Sequence, residues 1–90
     1  MKHELKSWPE SFRQILNHRK KFEVRKNDRG YHAGDVLHLK EWEPFTEKYT
    51  GAELGVKAEY ISYGGVLGID PEYCVISIAD WYWDTSPKEE

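Results

Sequence analysis

One stretch of sequence decides the fold: His18-Arg19-Lys20-Lys21-Phe22-Glu23-Val24-Arg25. In its second half apolar and polar residues alternate, which is typical of a half-buried strand. We therefore expect Phe22 and Val24 to point into the core, and Glu23 and Arg25 to project together from the opposite face. Lys20 then lies at the entry to this strand.

The same region concentrates positive charge. Residues 18–29 contain six basic and two acidic residues, a local balance of +4, in a chain whose net charge is −3; the remainder therefore carries −7. An acidic chain argues against a protein that coats nucleic acid indiscriminately. The basic window nevertheless offers an anionic ligand one place to bind. A solvated, lysine-rich loop is the alternative that composition leaves open.

The segment before this stretch predicts a strand followed by a short helix. Residues 3–8 alternate in polarity, and Pro9 is typical of the first turn of a helix. The apolar residues of the next two turns share one helical face, and they are Phe12, Ile15 and Leu16. Residues 17–18 end the helix.

The segment after it predicts three further strands. Turn residues at 27–30 and 32–35 precede a strand over 36–42, and a connection over 43–51 leads to the longest strand, over 52–63. Gly64-Gly65 breaks that strand, and a turn at 70–71 precedes a last strand over 73–80. Five short strands and one early helix predict a mainly β, α+β fold of the small mixed-barrel type, because an open sheet would leave its edges exposed.

Length and composition indicate one domain with a small core. At 90 residues the chain supports a single domain, which we place at 1–83, with a flexible tail over 84–90. Aromatic residues make up 14% of the chain, so each buried position contributes a large apolar area. The single cysteine, Cys74, lies in an apolar run, which predicts a buried and inert thiol rather than a nucleophile.

The quoted octapeptide resembles the G-x-K-x-x-E-x-R signature of ASCH domains, a branch of the PUA-like superfamily. Lys20, Glu23 and Arg25 match the signature, whereas His18 stands where the family usually has glycine. The similarity covers residues 3–80 and is greatest with a small bacterial and phage subgroup, through the initial strand and helix, the last strand, Lys26-Asn27-Asp28-Arg29, Gly34-Asp35 and Tyr49-Thr50-Gly51. It implies a PUA-like barrel of five or six strands, with a cleft beside the early helix that binds RNA or a modified nucleotide.

The expected ligand-binding residues are Trp8, Lys20, Glu23, Arg25, Lys26, Asn27 and Arg29. Lysine and arginine suit phosphate, and the planar guanidinium groups can also bind a guanine edge. Glu23 either orients Arg25, accepts a hydrogen bond from a base amino group, or transfers a proton; a purely structural ion pair is the alternative. Trp8 and Tyr31 are candidates for stacking on bases, although a residue of either kind is more often part of the core. Trp81-Tyr82-Trp83 either closes the barrel or covers its end.

The first functional hypothesis is a binding module for RNA or a nucleotide. The second is a small hydrolase or ribonuclease acting on a modified nucleoside or RNA, with Lys20 and Glu23 as the acid and base pair. Some ASCH-like proteins remove an acyl group from acetylated cytidine with a lysine and a threonine, but Glu23 stands at the threonine position and offers no hydroxyl. The third is a protein-interaction adaptor, and the sequence leaves open whether the chain is an enzyme.

The expectations about cofactors and location rest on motifs and segments that the sequence lacks. The serines and histidines have no triad or metal-site spacing, so we expect neither metal nor cofactor. We expect no membrane segment, a cytoplasmic location and RNA or a nucleotide as partner. A monomer is the default expectation, although the sequence does not fix the oligomeric state.

Overall fold

The computed structural model describes residues 1–85, in which one helix and five strands are found. In chain order these are β1 (Lys2–Ser7), α1 (Pro9–Leu16), β2 (Phe22–Lys26), β3 (Val36–Glu43), β4 (Lys48–Tyr63) and β5 (Tyr73–Asp84). The predicted elements are all present, and β4 begins four residues earlier and β5 ends four residues later than the sequence indicated. Of the predicted tail over 84–90, residue 84 belongs to β5, and 86–90 lie outside the described residues.

The strands form one mixed sheet that curves into a half-barrel, which confirms the predicted mainly β, α+β fold. The strand order is β1-β3-β4-β5-β2; β1 runs parallel to β3, and the other neighbours are antiparallel. The parallel pair is possible because α1 and β2 provide the long crossover between β1 and β3. As a result β1 and β2 are the two outer strands of the sheet.

The core lies inside the half-barrel and under α1. The helix contributes Phe12 and Ile15, as its spacing predicts, and the remaining buried apolar side chains come from the strands and the segment before β3. Cys74 is fully buried, and this burial raises the pKa of its thiol, as expected for an inert cysteine. Tyr31 is only 1% exposed, so of its two possible roles it has that of a core residue and not that of a stacking platform.

Strand β2 faces the opposite way from the prediction. Phe22 and Val24 are 44% and 51% exposed, whereas Glu23 is 3% exposed and faces the interior with Arg25. Glu23 pairs in register with Ile76 of β5, which is also buried. Alternation separates the two faces of a strand but does not say which one is inside. Here Ser11 and Arg25 provide polar partners for the carboxylate, and the two apolar side chains remain exposed.

The end of α1 places His18 in a left-handed backbone conformation. The N–H of His18 donates to Ile15 O (3.0 Å) and the N–H of Arg19 to Gln14 O (2.9 Å), the two bonds of a Schellman motif. His18 has φ of 61°, a left-handed conformation that glycine adopts most easily. In this chain the His18 ring stacks on Trp81 with centroids 4.1 Å apart.

The aromatic C-terminal segment packs against the end of α1 and against β4. Trp81 Nε1 donates to Ile15 O (2.7 Å) and so fixes the last turn of α1 against β5. The ring of Trp83 lies on Gly55 of β4, where a Cβ atom would come within 2.3 Å of it. The segment belongs to β5, which is an inner strand of the sheet and does not pair with β1.

Asp35 ties the beginning of β1 to the turn before β3. Its carboxylate accepts hydrogen bonds from His3 Nε2 (2.8 Å), from the N–H of His32 (3.0 Å) and from the ammonium group of Met1 (3.2 Å). Burial raises the pKa of this carboxyl group, but these three donors together lower it more, and the pKa is about 2. Asp35 therefore stabilises the fold as a carboxylate.

Replacing Asp35 with asparagine should remove stability in a pH-dependent way. Because the folded-state pKa of about 2 lies below the ordinary value of 3.8, the contribution is complete above pH 4 and disappears as the pH falls toward 2. The difference between these pKa values corresponds to about 2 kcal/mol. Urea unfolding of both proteins between pH 6 and pH 2 should show their stabilities converging at low pH. A difference that stays constant over this range would contradict the assignment.

Candidate functional site

The two outer strands of the sheet meet at a seam that side chains bridge. Arg25 Nη2 donates to Lys6 O (2.5 Å), and Arg29 Nη1 donates to Glu4 O (2.9 Å). Both acceptors are main-chain oxygens of β1 on the edge that does not pair with β3. We call this junction the β1–β2 seam. Its arginines satisfy carbonyl groups that would otherwise form an exposed sheet edge.

A hollow of about 300 Å³ opens between the seam and the first turn of α1. We call it the helix-side hollow. Its lining residues come from β1, the start of α1 and β2: Lys6, Ser7, Trp8, Ser11, Lys20, Glu23, Val24 and Arg25. It lies beside the early helix, since its lining includes Ser11 of α1 and Trp8 directly before it.

A chain of hydrogen bonds runs along one wall of this hollow. Lys20 Nζ donates to Ser11 Oγ (2.6 Å), and Ser11 Oγ donates to Glu23 Oε1 (3.2 Å). Arg25 Nε donates to the other carboxylate oxygen, Glu23 Oε2 (2.7 Å). A buried carboxylate is costly unless charged and polar partners surround it, and Arg25 and Ser11 provide those partners here.

Local structure explains why these four residues meet. Glu23 and Arg25 share the inner face of β2 because they are two residues apart on a strand. Ser11 lies in the first turn of α1, on the side that faces β2. Lys20 follows the Schellman motif, and its N–H donates to Gln14 O (3.0 Å), which returns the chain toward the helix.

Ser7 adds a second hydroxyl to the helix-side hollow. It is the last inward-facing residue of β1 and is buried, yet its Oγ has no hydrogen-bond partner among the described residues. An unpaired buried polar atom costs about 1–3 kcal/mol, so it marks a place where a ligand could provide the missing partner. Sequence reasoning found no pattern around Ser7 and did not consider Ser11. One indication for Ser11 was present in the sequence: it lies in the first turn of the predicted helix, three residues after Trp8.

Trp8 lies at the rim of the helix-side hollow. Its side chain is 61% exposed, in contrast to the buried Tyr31. An exposed indole beside a polar hollow offers a surface on which a flat ring can stack.

A second hollow, of about 450 Å³, lies on the other side of Arg25 along the seam. We call it the strand-side hollow. It is lined by Glu4, Leu5, Lys6, Arg25, Arg29, Lys40 and Tyr49. Lys6 and Arg25 line both hollows.

The seven predicted ligand-binding residues divide into three groups. Trp8, Lys20, Glu23 and Arg25 meet in the helix-side hollow, and Arg29 lines the strand-side hollow. The remaining two line neither of these hollows: the side chain of Lys26 is exposed, and the N–H of Asn27 donates to Glu72 O.

The described part of the chain contains no group of three or more His, Cys, Asp or Glu residues that could hold a metal ion. No helix over residues 1–85 has the length and apolar character needed to cross a membrane.

Fold and site together define a small mixed half-barrel domain with a polar, positively charged cleft at the seam between its outer strands. The chain matches the model of a protein family described as "Domain of unknown function (DUF3850)" over residues 2–78, and it therefore belongs to this family. No curated protein matches the chain.

Replacing Arg25 with alanine should cost about 3 kcal/mol of unfolding free energy, because it leaves the carboxylate of Glu23 buried without its charged partner. Lys26→Ala is the matched control, since this neighbouring cation is exposed, and it should change stability by about 0.5 kcal/mol or less. Urea titrations of the two variants measure both values.

A double variant separates the buried charge from lost packing. Glu23→Gln combined with Arg25→Met removes both charges and should recover part of the stability lost in Arg25→Ala. Equal losses in Arg25→Ala and Lys26→Ala would show that Glu23 does not need the guanidinium group.

Proposed function

We propose that this protein binds RNA or a nucleotide, and that the helix-side hollow receives a base. The observation that carries the proposal is the buried carboxylate of Glu23, held by Ser11 and Arg25 at the wall of a hollow that also contains cations. We further propose that the domain is of the PUA-like type and of its ASCH branch. The left-handed conformation of His18 at the glycine position supports this second proposal, as does the meeting of Lys20, Glu23 and Arg25 in one hollow.

The carboxylate distinguishes this hollow from a simple phosphate site. A carboxylate repels phosphate, but it accepts hydrogen bonds from the amino groups of bases, such as N4 of cytosine. Each oxygen of Glu23 accepts one hydrogen bond within the protein, and a carboxylate oxygen can accept a second. The unpaired hydroxyl of Ser7 adds another group that can read the edge of a base.

The surroundings of Glu23 suit the rest of a nucleotide. The hollow carries the cations Lys6, Lys20 and Arg25 against one carboxylate, a balance of +2. Its volume of about 300 Å³ lies at the lower end of the range for small-molecule sites. Trp8 at the rim offers a stacking surface, worth about 1–3 kcal/mol per base in proteins that bind single strands.

The proposal predicts different effects for the two charged partners of Ser11. Lys20→Ala should lower affinity for all nucleotides and short RNAs in a panel by a similar factor, and should reduce the dependence on salt. Glu23→Gln should change the preference among bases, with a loss of about 10-fold for cytosine relative to uracil. Fluorescence titrations at two salt concentrations measure both effects.

Lys26→Ala is the control, because its exposed side chain lines neither hollow. Unchanged binding across the whole panel for Lys20→Ala and for a Lys20→Ala, Arg25→Ala double variant would refute the proposal, provided that urea titrations show both variants to be folded.

A hydrolase is the second candidate function, and the contacts of Ser11 favour it. Glu23 stands where acyl-removing ASCH-like proteins have a threonine hydroxyl. Ser11 provides a hydroxyl within hydrogen-bond distance of Lys20 and Glu23. In this reaction Ser11 Oγ attacks an acyl carbonyl carbon while Glu23 accepts its proton. The bond to the leaving amine then breaks as Lys20 donates a proton to it. Water attacks the acyl carbon of the serine ester and gives one proton to Lys20, and the ester bond breaks as Ser11 Oγ takes back the proton from Glu23, which releases the acyl group as a carboxylic acid.

Loss of the acetyl group from acetylated cytidine, measured by mass spectrometry, tests this candidate. Ser11→Ala and Glu23→Gln should each abolish product formation. Full activity in either variant would remove that residue from the reaction, and no activity in the unmodified protein would leave binding as the function.

A further inference from the structure

We infer that the ligand is a single RNA strand that crosses the β1–β2 seam, and that the strand-side hollow binds the nucleotide next to the one in the helix-side hollow. This inference rests on the proposed function and deepens it, because it selects an oligonucleotide over a free nucleotide. It also assigns a binding role to Lys40 and Tyr49, which sequence reasoning did not include.

The two hollows form one path across the seam. They lie on either side of Arg25 and share it with Lys6 as lining residues. A chain-like ligand that leaves the helix-side hollow over Arg25 therefore enters the strand-side hollow directly. A free nucleotide would occupy only one of the two.

The strand-side hollow is the more positively charged of the two. Four cations, Lys6, Arg25, Arg29 and Lys40, face one carboxylate, Glu4, which gives a balance of +3 in a chain whose net charge is −3. The contact between Lys40 Nζ and the Glu4 carboxylate is 3.8 Å long, and the Glu4 side chain is largely exposed. Such a pair contributes little, so Lys40 can exchange it for a phosphate.

The two arginines of the seam are held in a row. Their acceptors, Lys6 O and Glu4 O, are two residues apart on β1, which corresponds to about 7 Å along a strand. This spacing is comparable to that of neighbouring phosphates in an extended nucleic-acid strand. A guanidinium group has five N–H donors, and Arg25 uses two and Arg29 one in the contacts described above. The remaining donors are available for phosphate oxygens.

Each hollow also has one exposed aromatic residue. Trp8 lies at the helix-side hollow, and Tyr49, which is 50% exposed, lines the strand-side hollow with Lys40 Nζ 4.8 Å from its ring centroid. Two cation-rich hollows, each with an aromatic side chain, match two successive nucleotides whose bases stack while their phosphates meet arginine and lysine. A phosphorylated peptide would use the cations but not the pair of aromatic side chains, so this arrangement favours a nucleic-acid strand.

The test compares cytidine monophosphate, the dinucleotide CpC carrying a 5′-phosphate, and a 5′-phosphorylated tetracytidylate. For the unmodified protein we expect affinity to rise by about 10-fold or more from the mononucleotide to the dinucleotide. In an Arg29→Ala, Lys40→Ala double variant this gain should disappear, while the affinity for the mononucleotide stays within about twofold. Tyr49→Ala should reduce the gain without changing mononucleotide binding.

A Lys21→Ala, Lys26→Ala double variant is the matched control, because it removes two exposed cations of the basic window that line neither hollow. It should keep the gain with length. The single variant Lys40→Ala repeats the affinity comparison while the arginine contacts of the seam stay intact.

Two failures are distinguishable. Equal affinity for one, two and four nucleotides, or an equal loss for all three in the Arg29→Ala, Lys40→Ala variant, would overturn the inference and leave the proposed function standing. Absence of binding to every member, and to the corresponding adenosine and guanosine series, would overturn both.

Discussion

The structure depends on how Arg25 joins the two outer strands of a sheet that does not close. Five strands leave β1 and β2 as free edges, and free edges expose carbonyl and N–H groups that favour pairing with other chains. Arg25 donates to one such carbonyl group, Lys6 O, across the seam, and it also donates to the carboxylate of Glu23 within β2. The burial of Glu23 follows from this geometry, because the guanidinium group that bridges the seam also compensates its charge.

This double use places the candidate site where the fold needs polar groups in any case. If apolar side chains bridged the two outer strands, there would be no reason to bury a carboxylate beside the edge. Because arginine bridges them, the cleft contains the carboxylate of Glu23, several cations and two serine hydroxyls. Part of the donor capacity of each arginine is used by the fold, and what remains faces the two hollows. Stability and ligand recognition are therefore coupled through Arg25 and can be separated more cleanly at Lys20 and Lys40.

The sequence predicted the elements well and the orientation of one strand wrongly. The helix face of Phe12 and Ile15 and the succession of helix and strands along the chain follow from local periodicity, which chain neighbours determine. The inner face of β2 depends instead on contacts with residues distant in sequence: Ser11 of α1 bonds the inward-facing Glu23, while apolar Phe22 and Val24 point outward. The roles of Ser11 and the seam were hidden for the same reason, since both arise from residues distant in sequence. The left-handed backbone of His18 could not be predicted either, because histidine rarely adopts it.

The proton positions along Lys20, Ser11 and Glu23 bear on whether the site binds or reacts. An ammonium group only donates hydrogen bonds, so Ser11 Oγ accepts from Lys20 at 2.6 Å and directs its own proton toward Glu23. The proton is thus already aimed at a base, as a nucleophile requires. However, the lone pair that would attack a carbonyl is engaged by the lysine through a short, charge-assisted bond, which lowers its reactivity. Catalysis requires Lys20 to move away when the substrate arrives, whereas recognition of a base by Glu23 requires no rearrangement. The arrangement of these three groups therefore favours binding as the first function of this cleft.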